Sequence, residues 1–104
     1  MIRKAFAAQV FPGKHQEYED RHNPIWAELH DVLKAHGVSN YSIFLNASTD
    51  QLFGYAEIES EERWNSIAQT AVCKKWWKHM ADLMPANPDS SPKTIDLKEV
   101  FHID

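Results

Sequence analysis

His22 is the residue whose neighbours best suit it to move protons. Tyr18 precedes it by four positions, so on a helix the two side chains share one face. Asn23 and Pro24 follow it. A proline inside a helix deletes a hydrogen bond and clashes one turn back, at about 3 kcal/mol. The residue before it is pushed toward extended geometry. Such a break leaves backbone groups unpaired beside the imidazole, which favours a pocket or a solvent contact. Histidine titrates near neutrality and can act as general acid or base. The plain alternative is a helix-end histidine bonded to a nearby carbonyl.

Aromatic residues supply the second signal. Trp76 and Trp77 are adjacent in CKKWWKHM. Helical neighbours point about 100° apart, so one narrow apolar stripe does not hold both. One indole can enter a core while the other reaches a boundary, a cavity or a partner. Packing with a subunit contact is one reading of the pair. A flat wall for a sugar is the other, since an indole face meets C–H patches while its N–H meets a hydroxyl. Tyr41 shares a strand face with Ile43 and Leu45, and its hydroxyl needs a structural or ligand partner if buried. Trp26 and Trp64 fall at helical core spacing.

Other chemistries lack their residues. Six histidines occur, but there is no H-E-x-x-H, no cysteine pair and no histidine pair at i, i+4, so no metal is expected. His30 and His36 fall in a charged, solvated helical stretch, while His15, His79 and His102 have no evident ligand companions. Three glycines and no phosphate-loop pattern argue against a nucleotide cradle. The single Cys73 reads as a small buried hydrophobe suited to a reducing compartment.

The chain has 104 residues and a formal charge of -4, with no basic stripe, so nucleic acid is not an expected partner. No apolar run is long enough to span a bilayer. MIRKAFAAQV lacks the apolar core of a secretory signal, which makes the cytoplasm the expected compartment. A hydrophobic fraction of 43% and a charged fraction of 25% fit one globular domain over 1–104.

The elements that must position these residues follow from periodicity. Alternation predicts strands over 2–10, 38–46, 51–59 and 95–103. Helical spacing runs from Lys14 to His36, split at Asn23-Pro24, with Asn23 as N-cap and Pro24 as first residue of the second piece. Gly37 follows as its stop. Ser60 caps a helix whose first turn carries Glu61 and Glu62, and a further piece runs from Ala71 to Leu83. The order β-α-β-β-α-β is that of an α+β, ferredoxin-like domain. Its strands offer apolar residues to both faces while helices cover only one. A second copy packed sheet to sheet would cover the other, so a homodimer is expected.

DRHNPIWAEL, NYSIFLN, ESEERWN, CKKWWKHM and DLMPANPDSSP together resemble the L-rhamnose mutarotase family, and the resemblance runs nearly end to end. Ala27, where the family often has a second proline, and Phe44, where tyrosine is common, are mild departures. The resemblance implies a dimeric α/β barrel of ferredoxin-like subunits that interconverts the α and β anomers of L-rhamnose without metal or organic cofactor. It implies His22 as proton donor, with Tyr18, Tyr41, Trp76 and Trp77 binding the sugar. Anomer exchange needs an acid at the ring oxygen, cast here as His22, and a base at the anomeric hydroxyl, which the sequence leaves open among a carboxylate, a tyrosine and water. The scaffold also admits a cofactor-free oxygenase and a non-catalytic dimerisation or small-ligand-binding module.

Overall fold

A computed structural model describes residues 1–104. Strands β1 (Ile2–Gln9), β2 (Val38–Asn46), β3 (Gln51–Ile58) and β4 (Ile95–Leu97) form one sheet in the order β2-β3-β1-β4, every pairing antiparallel. Helices α1 (His15–His22) and α2 (Ala27–Ala35) lie between β1 and β2. Helix α3 (Glu61–Ser66), a 3-10 turn (Ile67–Gln69) and helix α4 (Ala71–Met80) lie between β3 and β4. This is the expected β-α-β-β-α-β order of a ferredoxin-like fold, with each helical layer in two pieces.

Pairing fixes which residues face the helices. Phe6 and Ala8 of β1 lie opposite Gly54 and Leu52 of β3, and Ile43 and Leu45 of β2 lie opposite the same two residues. One core forms around Val10, Leu29, Leu52, Trp76, Met80 and Leu83. A smaller one gathers Val38, Ala56, Ile58, Ile67 and Cys73, with Trp77 and Leu33 touching both.

Local rules account for the helix boundaries. The Ser60 hydroxyl accepts from the Arg63 amide at 3.1 Å, as the expected cap of α3. Thr70 repeats the device, accepting from the Cys73 amide to start α4. Gly37 ends the α2 connection at φ +79°, where a side chain would be strained. Two expectations need correction. Asn23 closes α1 rather than opening α2, whose first residue is Ala27, so Pro24 sits in the link between them. The final strand spans Ile95–Leu97 and not 95–103, because β1 offers it a partner only over Ala5–Ala7.

Helix α1 is an unusual element to build a site upon. None of its residues is buried, and Tyr18 is its one aromatic anchor in the core. Polar contacts hold it instead. Within the helix, Gln16 donates to Asp20 and Arg21 to Glu17. At its start, His15 Nε2 meets Asp50 Oδ1 at 2.6 Å. At its end, Arg21 donates to the His79 carbonyl at 2.6 Å and to Asp82 at 2.9 and 3.3 Å.

Candidate active site

One face of α1 lines a cavity between the helical layer and the sheet. His15, Tyr18, Glu19 and His22 contribute, at helical offsets of three, four and seven. His22 Nδ1 lies 2.8 Å from the Tyr18 carbonyl oxygen. A carbonyl only accepts, so Nδ1 carries the hydrogen and Nε2 is left free. The Tyr18 ring stacks on the imidazole with centroids 4.4 Å apart, and Trp76 meets it edge-on at 5.1 Å. Burial lowers the His22 pKa below its ordinary 6.5, only partly offset by the bond to the Tyr18 carbonyl. At neutral pH the ring is therefore mainly uncharged, with a lone pair at Nε2.

Tyr41 enters from the sheet side through a device the strand pattern conceals. Ser39 pairs with Glu57 and Ser42 with Tyr55, so Asn40 and Tyr41 together face one residue of β3. This is a β-bulge. Asn40 takes up the irregularity at φ +48° and donates its side-chain amide to Glu57 at 2.9 Å. A regular strand carrying Val38 inward would turn Tyr41 outward; the bulge resets the alternation and brings Tyr41 to the cavity.

The Tyr41 ring packs against Phe6 at 6.3 Å and Trp64 at 5.9 Å. Phe6 can lie there only because position 54 is glycine: a Cβ would stand 2.2 Å from its ring. Burial raises the Tyr41 pKa well above the usual phenol range, with the Tyr18 hydroxyl adding to the effect. Burial likewise pushes Tyr18 up to about 12. Both phenols stay protonated. Neither hydroxyl has a protein partner; Tyr18 is half-buried, Tyr41 is 37% exposed, and both line the cavity.

The paired tryptophans divide as the helical angle requires. Trp76 is 8% exposed and belongs to the main core, while Trp77 is half-buried against both cores. Both line the cavity. Its volume of about 1150 Å³ is ample for a six-carbon sugar. All five residues singled out by the sequence reading thus meet at one cavity. The chemistry available is proton exchange at Nε2, hydrogen bonding from two neutral phenols, and apolar contact with indole faces.

The sequence reading missed the partners of three histidines. His15 has a companion in Asp50, and His79 stacks on Trp26 and Trp76 at 5.2 and 5.7 Å. His36 is half-buried and bonded to the Val32 carbonyl rather than solvated. These partners are distant in sequence or lie on the backbone, so spacing could not reveal them. Cys73 is buried as expected, and burial pushes its thiol up to about 11, away from nucleophilic use. No three His, Cys, Asp or Glu side chains converge in a way that could hold a metal ion.

Fold and site define a class: a ferredoxin-like domain with an aromatic-walled cavity bearing one free imidazole nitrogen. Solved structures share that fold. An antibiotic-biosynthesis-monooxygenase-like protein from Nitrosomonas europaea superposes with a TM-score of 0.65, covering 97% of this chain and 100% of its own. At 15% identity it speaks for the fold alone.

Narrower matches set the family. A family model for L-rhamnose mutarotase matches residues 3–103. An L-rhamnose mutarotase from Opitutus terrae is 65% identical over 100% of both chains, and one from Shigella flexneri is 60% identical over 99% of both. The crystal structure of an L-rhamnose mutarotase from Formosa agariphila is 40% identical, covers 100% of each chain and superposes with a TM-score of 0.92. The chain belongs to the L-rhamnose mutarotase family.

Proposed function

We propose that this chain interconverts the α and β anomers of L-rhamnose as a cofactor-independent isomerase, with His22 as its proton-transfer residue. The observation that carries the reading is the His22 tautomer. Its Nδ1 is tied to the helix backbone, and its Nε2 is free at a cavity wall shared with Trp76 and Tyr18. Because the resting ring is neutral, Nε2 first accepts the anomeric hydroxyl proton as the ring opens, which gives His22 the part of the base and not that of the ring-oxygen acid expected from the sequence. The resulting imidazolium is the acid that returns a proton when the ring recloses. Between these acts the C1–C2 bond rotates and presents the other face of the aldehyde.

Tyr18 and Tyr41 then orient hydroxyls, while Trp76 and Trp77 meet the C–H faces and the methyl group. The reaction takes place in a cytoplasmic homodimer. What supports the dimer is the uncovered sheet face, where Phe44 (64% exposed) pairs with Phe53, together with the exposed apolar residues Val100, Phe101 and Ile103 beyond β4. No helix is long and apolar enough to cross a membrane. Saturation-transfer NMR on equilibrated L-rhamnose tests the activity: added protein should speed exchange between the two anomeric signals. Broadening of the sugar signals without faster exchange would mean binding alone and would overturn the reading.

A further inference from the structure

Anomer exchange moves two protons, and His22 handles one. Ring opening breaks the C1–O5 bond, and the ring oxygen that leaves with its electron pair must gain a proton. The anomeric and ring oxygens are bonded to the same carbon, so the two groups that serve them must stand side by side. Few cavity groups stand beside His22. Glu19 is exposed, and His15 sits two helical turns away with its Nε2 already engaged by Asp50. Tyr41 approaches from the sheet, with its ring held by Phe6 and Trp64. Tyr18 stacks directly on the imidazole at 4.4 Å, and its hydroxyl has no protein partner.

Building on the mutarotase reading, we infer that Tyr18 is the second proton-transfer residue, its phenol donating to the ring oxygen while His22 Nε2 takes the anomeric proton. The step balances. The O1–H pair becomes the second bond of C1=O1, the C1–O5 pair passes to O5, and O5 takes the phenol proton. The enzyme is left with imidazolium and phenolate in contact, and no net charge has entered the cavity. Each charge alone would pay the desolvation that burial imposes, whereas two opposite charges in stacked rings offset one another. A phenol at about 12 is still a stronger acid than the sugar alcohol it helps to form. Closure reverses both transfers. Stacking thus has a chemical purpose beyond holding the imidazole in place.

The test begins with wild-type exchange on L-rhamnose, since a wild type without activity overturns this proposal together with the reading beneath it. With activity present, Tyr18→Phe removes only a hydroxyl that has no protein partner, and a thermal melt checks that the fold survives. We expect kcat to fall about 10²-fold or more, with KM within about threefold. A fluorinated tyrosine placed at position 18, with its more acidic phenol, should retain activity near neutral pH, where His22 is uncharged and the fluorophenol is still protonated. It should bring in an alkaline loss of rate at the fluorophenol's own pKa. A Tyr18→Phe effect confined to KM, or a pH profile unmoved by fluorination, overturns the proposal and leaves Tyr18 a binding residue.

Discussion

Replacing His22 by Asn separates proton transfer from architecture. The shorter amide keeps a donor for the Tyr18 carbonyl and offers nothing that titrates. General acid–base help is typically worth 10²–10⁴-fold, or about 2.7–5.4 kcal/mol at 1.36 kcal/mol per tenfold. The structural loss is smaller: one ring stacked on Tyr18 and one edge contact with Trp76, each on the order of 0.5–1.5 kcal/mol. The variant should therefore stay folded while the NMR exchange rate drops at least 100-fold.

The wild-type pH profile supplies the sign. At an ordinary 6.5, roughly three-quarters of the imidazole would be neutral at pH 7, and burial makes the fraction higher. On the proposed mechanism neutral His22 is the active form, so kcat should be flat above the folded pKa, which lies below 6.5, and fall about tenfold per pH unit beneath it. Because the unfolded chain binds that proton more readily, stability should also decline as pH drops from 6.5 through the folded value. A His22→Asn variant within threefold of wild type would refute the assignment. So would a rate, corrected for spontaneous exchange, that climbs as pH falls from 7 to 5.

Asp82→Ala should free the Arg21 end of α1 and lower kcat about tenfold with little change in Tm, because a helix with no buried residues is positioned rather than stabilised by such contacts. Leu83→Ala, at a core position 1% exposed, should cost about 2–5 kcal/mol in urea unfolding. Asn40→Val puts a β-branched residue at φ +48°, which L-residues resist by about 1–2 kcal/mol. Rates measured by NMR should fall as the bulge slips and Tyr41 turns away. If the proposed dimer forms through this surface, Val100→Asp with Phe101→Asp, at positions 87% and 76% exposed, should leave the protein monomeric in analytical ultracentrifugation.

The order of elements was legible because periodicity and punctuation act locally. Gly37 stops a helix and Ser60 starts one through contacts within a few residues. The break at Pro24 was legible for the same reason, and it places His22 correctly at a helix end. What closes α1 onto the rest of the molecule was not legible. Arg21 finds Asp82 across 61 positions, and His15 finds Asp50 across 35. Nothing in the spacing of either pair records the meeting. The last strand failed differently: alternation over 95–103 describes side-chain direction, whereas a strand also needs a neighbour, and β1 supplies one for three residues only.

Tyr41 shows how a correct assignment can rest on an incomplete reason. Its alternation with Ile43 and Leu45 put it on the inner face, and it is there. Yet buried Val38, three residues earlier, also points inward, and no regular strand satisfies both. A one-residue offset inside a nine-residue strand had to exist, and Asn, tolerant of left-handed backbone, was the residue to carry it. Val38 seals the smaller core while Tyr41 faces the cavity, so the irregularity lets one edge strand serve the core at its start and the cavity at its middle. The imidazole sits on the last residue of α1, just before the Pro24 link, while the Tyr41 phenol reaches the same cavity by way of the bulge.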